Sequence, residues 1–130
     1  MIIQFLIALF VFTVIDLIWL GFLGRPLYQK YIGHLLKKDV NWTAVILFYF
    51  MFITMLYYFV IQNIETQPLL ETVLDGSLFG FAMYATYDLT NLATLKGWSK
   101  EITVIDLIWG TFLGGLTTLL SGLIIMGVGV

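Results

Sequence analysis

The sequence predicts an all-α integral membrane protein: a four-transmembrane-helix bundle with one short cytoplasmic interfacial helix, in a single membrane domain over residues 1–130. Three observations carry that reading. Of 130 residues, 61% are hydrophobic and 11% charged, less than half the roughly 25% charge of a soluble domain, and mean hydropathy is +1.01. The apolar residues fall into four runs, each near the roughly 20 residues a helix needs to cross a bilayer. Every basic residue lies in just two of the stretches between those runs. The composition excludes a disordered chain, which needs high charge and little apolar character. It also excludes a lone soluble domain, because so small a fold could not cover this much apolar surface.

Span 1 runs about Ile2–Gly24 and stops ahead of Arg25-Pro26. It has no basic leader and no small-x-small cleavage pattern, and it carries Asp16, so it reads as a retained span and not as a signal peptide. An interfacial helix follows at about residues 26–38. There Leu27, Tyr28, Tyr31, Ile32, Leu35 and Leu36 recur at helical spacing, with Gln29, Lys30, Lys37 and Lys38 elsewhere and Pro26 suited to a first turn. Such a helix either shields the bundle as a connector or holds anionic lipid on the inner leaflet. Span 2, about Trp42–Ile61, carries Phe48, Tyr49, Phe50 and Phe52 and no charge, which reads as lipid-facing or packing aromatics. Span 3, about Thr72–Leu95, follows a loop containing Pro68, and span 4 covers about Ile102–Val128. Trp42 and Trp98 mark the inner boundary and Tyr57 and Tyr58 the outer one, as an aromatic belt does.

Charge placement gives the orientation. Arg25, Lys30, Lys37 and Lys38 follow span 1, Lys96 and Lys100 follow span 3, and the stretch between spans 2 and 3 has no basic residue, only Glu65 and an acidic end at Glu71, with Asp75 just inside span 3. The excess of Lys and Arg belongs in the cytoplasm, so both termini are expected outside it. There is no cysteine and the only histidine is His34, which excludes thiolate catalysis, zinc–thiolate sites and Fe–S clusters. The residues indicate no cofactor, no metal and no nucleic-acid partner.

An internal repeat stands out. Thr13-Val14-Ile15-Asp16-Leu17-Ile18-Trp19 returns as Thr103-Val104-Ile105-Asp106-Leu107-Ile108-Trp109, and the match resumes at Phe22-Leu23-Gly24 and Phe112-Leu113-Gly114. The copies lie in spans 1 and 4, which run in opposite directions, so the repeat has inverted topology. Secondary transporters place their sites between such repeats. A duplicated packing motif is the other reading.

Asp16, Asp88 and Asp106 carry the most chemical information. With a rise of ~1.5 Å per residue, they lie ~12, ~10 and ~6 Å inside the cytoplasmic ends of spans 1, 3 and 4, shallow enough and similar enough in depth to meet. An aspartate at a helix centre costs on the order of 3 kcal/mol on insertion scales. No Lys, Arg or His lies within a span, so the three must be protonated, hydrogen-bonded or holding a cation. Like charges and desolvation both disfavour the ionised form, so at least one is expected neutral at pH 7. Span 3 offers polar company: Tyr84, Asp88 and Asn91 share one face at i, i+4 and i+7, with Tyr87 and Thr90 flanking. Gly76 and Gly80 continue that face, and Gly110 and Gly114 answer from span 4, ahead of Ser121. Small faces of this kind pack two spans of one chain closely or form a homodimer contact.

The segment from Tyr84 to Trp98, Tyr-Ala-Thr-Tyr-Asp-Leu-Thr-Asn-Leu-Ala-Thr-Leu-Lys-Gly-Trp, resembles a family of bacterial predicted membrane proteins, the domain of unknown function 2177. The two Asp-x-x-Trp segments and Gly33-His34-Leu35-Leu36 fit the same family. The resemblance covers nearly the whole chain. It implies a four-helix bacterial membrane protein, assigns no activity, and marks Asp16, Trp19, Tyr87, Asp88, Thr90, Asn91, Asp106 and Trp109 as motif positions.

Three functions follow as expectations. The first is a small transporter or channel-like protein of the bacterial inner membrane. Its binding site for a proton, a cation or a small polar substrate is formed by Asp16, Asp88, Asp106, Tyr84, Tyr87, Thr90, Asn91, Trp19 and Trp109. The second is an enzyme or accessory protein acting on lipids at the cytoplasmic leaflet. The third is a structural subunit of a membrane complex. Catalysis ranks below transport, because paired carboxylates can do acid–base work but no nucleophile, diphosphate motif or metal-binding histidine accompanies them.

Overall fold

The computed structural model describes residues 1–130, and it is helical with no strand. Five α-helices follow in order: α1 (Ile2–Ile18), α2 (Arg25–Ile32), α3 (Trp42–Phe59), α4 (Leu69–Thr94) and α5 (Lys100–Val128). Local chemistry sets most starts. Asn41 accepts the Ala44 N–H at 3.1 Å ahead of α3, and Ser99 accepts the Ile102 N–H at 3.0 Å ahead of α5. Pro68 precedes α4, where a missing N–H is no loss. α4 therefore begins three residues before the expected Thr72, and α5 two before Ile102.

Span 1 departs from a plain helix. Its α-helical part ends at Ile18 and a π-helical turn covers Trp19–Leu23, with the Gly24 N–H donating to the Trp19 carbonyl at 2.6 Å. Pro26 has no N–H to give the Phe22 carbonyl, and its ring would strike that oxygen in a regular helix. A widened turn removes the conflict, and the chain passes into α2 without a loop. α2 is shorter than the expected 26–38: it stops at Ile32, where Gly33 starts a single 3-10 turn to Leu35, and Lys37 and Lys38 lie beyond any helix.

The long helices alternate in direction. Gln4 reaches the Val130 carbonyl at 2.8 Å while Trp19 meets Trp109, so α1 and α5 are antiparallel. Phe5 lies against Tyr57 and Phe12 against Tyr49, so α1 and α3 are antiparallel too. α4 and α5 form the most extensive contact in the molecule. A Cβ on Gly80 would collide with the Gly110 carbonyl oxygen, and one on Gly76 would stand 2.8 Å from the Gly114 carbonyl oxygen, so only glycine lets these backbones touch. The small-residue faces are thus spent inside the chain. α3 and α4 meet mainly through an aromatic layer, with Phe52 stacked on Phe12 at 5.0 Å and edge-on to Phe79 at 5.5 Å. Phe52 is therefore core and not a lipid-facing ring.

The burial pattern is inverted relative to a water-soluble fold. Gln4, Asp16, Thr72, Asp88, Thr103, Asp106, Thr117, Thr118 and Ser121 are buried, while Ile2, Phe10, Phe22, Ile46 and Leu78 face outward. A solvent of hydrocarbon rewards that arrangement. α1 with its π-helical turn, α3 with the turn after it, and α5 are each long and apolar enough to cross a membrane. α4 is 26 residues long and the least apolar of the long helices, because Glu71, Asp75, Asp88 and Asn91 lie in it.

Tyr57 was expected at the outer boundary but is buried. Its hydroxyl donates to Gln4 Oε1 at 3.0 Å, and Gln4 Nε2 donates to Glu65 Oε1 at 2.9 Å, a polar knot that ties α1, α3 and the chain end together. At the opposite end Gly97, with φ +80, turns the chain against His34, so both basic stretches lie on one side of the bundle.

Candidate functional site

The site sits between the basic end and the aromatic layer. α1 places Asp16, and the Tyr49 hydroxyl of α3 donates to its Oδ2. The Trp109 indole nitrogen lies near the same carboxyl without reaching strict hydrogen-bond geometry. α5 places Asp106, whose Oδ1 accepts the Tyr28 hydroxyl of α2 at 2.6 Å. Tyr28 in turn accepts the Trp19 indole N–H at 3.1 Å. Each repeated aspartate is thus served by a tyrosine from a neighbouring helix. Between them Trp19 and Trp109 stack with centroids 4.4 Å apart and planes 8° from parallel. A hydrogen bond to a charged group contributes roughly 1.5–3 kcal/mol, enough to offset much of what each buried carboxyl costs.

Asp88 is different. It is fully buried in α4, its carboxyl faces that of Asp106, and neither of its oxygens has a hydrogen-bond donor. The glycine contact between α4 and α5 brings the two carboxyls together. Two ionised carboxylates side by side repel. Tyr84 stands among all three aspartates without hydrogen-bonding any of them. Asp16 stays apart: no three carboxyl or imidazole groups converge as a metal ligand set. The expected trio is therefore a pair plus a separately held third member.

Tyr28 lies outside the spans. Burial against the bundle, and then the Asp106 carboxyl beside it, hold its phenol far above the ordinary 10.0, so it remains a donor at any physiological pH.

Of the remaining expected residues, Tyr87 and Thr90 do not join the carboxyls. At 100° per residue they lie off the Asp88 face. Tyr87 is 56% exposed and packs edge-on against Trp98 at 5.7 Å, and the exposed Thr90 hydroxyl turns back to the Thr86 carbonyl. Asn91 is half-buried, one turn beyond Asp88. Tyr28 and Tyr49, which in the sequence look like part of an interfacial face and a packing aromatic, are the hydrogen-bond partners of Asp106 and Asp16.

A cavity of about 720 Å³ opens between α3 and α4 on the Asp106 side. Tyr28, Tyr84 and Asp106 line its inner end, and Phe48, Tyr87 and Trp98 its outer part. Ile32 of α2 is buried and also lines the cavity, so α2 packs on the bundle.

The sequence profile of one family, described as Predicted membrane protein (DUF2177), matches residues 1–123. No curated protein and no solved structure matches the chain. A chain with buried carboxyls, outward-facing apolar helices and a family match over all but its last seven residues belongs to the DUF2177 family of predicted membrane proteins.

Proposed function

We propose that this is a small transporter or channel-like protein of the bacterial inner membrane, with Asp88 and Asp106 as an intramembrane site that takes up and releases a proton or a cation. In this reading all four long helices span the bilayer. The basic stretches lie in the cytoplasm, both termini lie outside, and spans 1 and 4 form an inverted repeat about the stacked tryptophans. One observation carries the proposal: the Asp88 carboxyl is wholly buried, faces a second carboxyl and has no donor. The other two aspartates each accept a tyrosine hydroxyl, Asp16 from Tyr49 and Asp106 from Tyr28. A buried carboxyl left open to a mobile partner is what ion and proton relays in membranes use.

The test is the melting temperature of the purified protein from pH 4 to 9 with different cations, compared with Asp88→Asn. The substitution keeps shape and supplies an N–H₂ donor to Asp106. A pH or cation step in the wild type that is missing in the variant supports an exchanging site, since a ligand of the folded state alone raises the melting temperature. Superimposable profiles make the pair a packing device and end the proposal.

A further inference from the structure

Beside the carboxyl pair, the cavity between α3 and α4 has a lining of unusual composition. Phe48, Tyr84, Tyr87 and Trp98 present aromatic rings, Met51 and Met83 stand between them, and the carboxyl at the inner end is Asp106. Each part has a physical preference. Aromatic faces attract cations, most strongly where water is excluded. Methionine is flexible and polarisable and adapts to varied apolar shapes. A carboxyl backed by a second carboxyl with no donor gives the inner end an unmet demand for positive charge.

No basic side chain in the lining meets that demand. No Lys, Arg or His lines it, and the Lys30 ammonium lies over the Tyr31 ring, 5.2 Å from its centroid. The groups facing Asp106 are Tyr28 from α2 and Tyr84 and Asp88 from α4, none of them basic. The volume, about 720 Å³, is that of a site for one drug-sized molecule, far larger than a bare ion needs. Its lining includes the exposed side chains of Phe48 and Met51 on α3 and Tyr87 on α4, two helices whose outward faces are apolar.

We infer that the cavity binds an apolar organic cation, its charge against Asp106 and its body among the aromatic and methionine side chains. This rests on the exchanging carboxyl site above and names the class of substrate for it. Proton and organic cation would compete for the same pair of carboxyls.

The probe is tetraphenylphosphonium, with tetraphenylborate as its counterpart of equal shape and opposite charge. Binding to the full-length protein in uncharged detergent is followed by tryptophan fluorescence and by calorimetry. The expected result is saturable binding of the phosphonium at one site, borate binding at least tenfold weaker, and at least a tenfold loss of phosphonium affinity in Asp106→Asn. In that variant the oxygen accepting from Tyr28 is retained. Because a change at a buried aspartate can impair folding, Tyr87→Leu on the exposed wall serves as the second variant. It keeps an apolar surface without a π face, and a loss of about three- to tenfold in phosphonium affinity is expected. Equal binding of the two probes, or unchanged phosphonium affinity in a folded Asp106→Asn, overturns the inference and makes the cavity a slot for lipid chains. A pH or cation step in the melting temperature that persists while phosphonium fails to bind overturns this inference alone. Absence of the step with phosphonium bound at Asp106 overturns only the exchange reading.

Discussion

Trp19 and Trp109 stack nearly parallel, 4.4 Å between centroids, and they occupy the same position in the two copies of Thr-Val-Ile-Asp-Leu-Ile-Trp. The repeat therefore meets itself in space. Trp109 borders Asp16 of the first copy, and Trp19 reaches Asp106 of the second through Tyr28. An aromatic pair of this kind contributes about 0.5–1.5 kcal/mol beyond the area it buries. A double-mutant cycle with Trp19→Leu and Trp109→Leu, read from chemical unfolding in detergent, is expected to return a coupling in that range. A coupling of zero would separate the two copies energetically.

Tyr49→Phe removes the only hydrogen-bond donor that Asp16 has and leaves the carboxyl buried. A loss of about 1.5–3 kcal/mol is expected. Adding Asp16→Leu to the same chain removes the orphaned group as well, so the double variant is expected to be more stable than Tyr49→Phe alone. Additive losses would mean that the tyrosine acts through packing instead.

The Tyr28 phenol gives the protein an alkaline limit. Its folded value is raised above the ordinary 10.0, mainly by burial and then by Asp106, so its contribution is complete below pH 10 and is lost as pH rises toward the folded value. Wild-type stability is expected to decline above about pH 10. Tyr28→Phe is expected to be less stable at neutral pH, having lost the bond to Asp106, and to show a shallower alkaline decline. Melting curves from pH 8 to 11.5 read both effects, and parallel declines would refute the assignment.

Glycines in α5 and α4 separate close approach from helix propensity. Gly127 has open space where a Cβ would go, and Gly127→Ala is expected to be neutral or stabilising by up to about 1 kcal/mol. Gly80 has the Gly110 carbonyl there, so Gly80→Ala is expected to cost about 2–3 kcal/mol net or prevent folding. Denaturant titration of both variants checks the contrast, and similar outcomes would deny the backbone contact.

Much of this was legible in the residues. Four apolar runs gave the long helices to within a few positions, and the Gly faces together with Asp88 and Asp106 gave the α4–α5 contact and its carboxyl pair. The donors were not legible in the same way. Tyr49 and Tyr28 look like any aromatic on an apolar face, and their roles depend on helix rotation, which periodicity in an all-apolar segment leaves undetermined. Depth was the available signal: Tyr49 lies ~10 Å past the start of α3, close to the depth of Asp16. The π turn was equally hidden, because its cause, Pro26, stands seven residues after its first member, Trp19. Tyr57 misled for a related reason. A tyrosine near a span end suits the membrane interface and an internal polar knot alike, and only the arrival of Gln4 opposite it decides.

The glycine contact between α4 and α5 also divides the bundle into a pair joined backbone to backbone and helices joined to it by side chains. Where two backbones touch, there is no intervening layer of side chains to slide or repack, so these helices form a rigid post. α3 has no such seam with α4 and meets it across rings that can rotate past one another. That post holds both carboxyls in register, while the part of the chamber lining that comes from α3, Phe48 and Met51, is set against α4 by side chains alone.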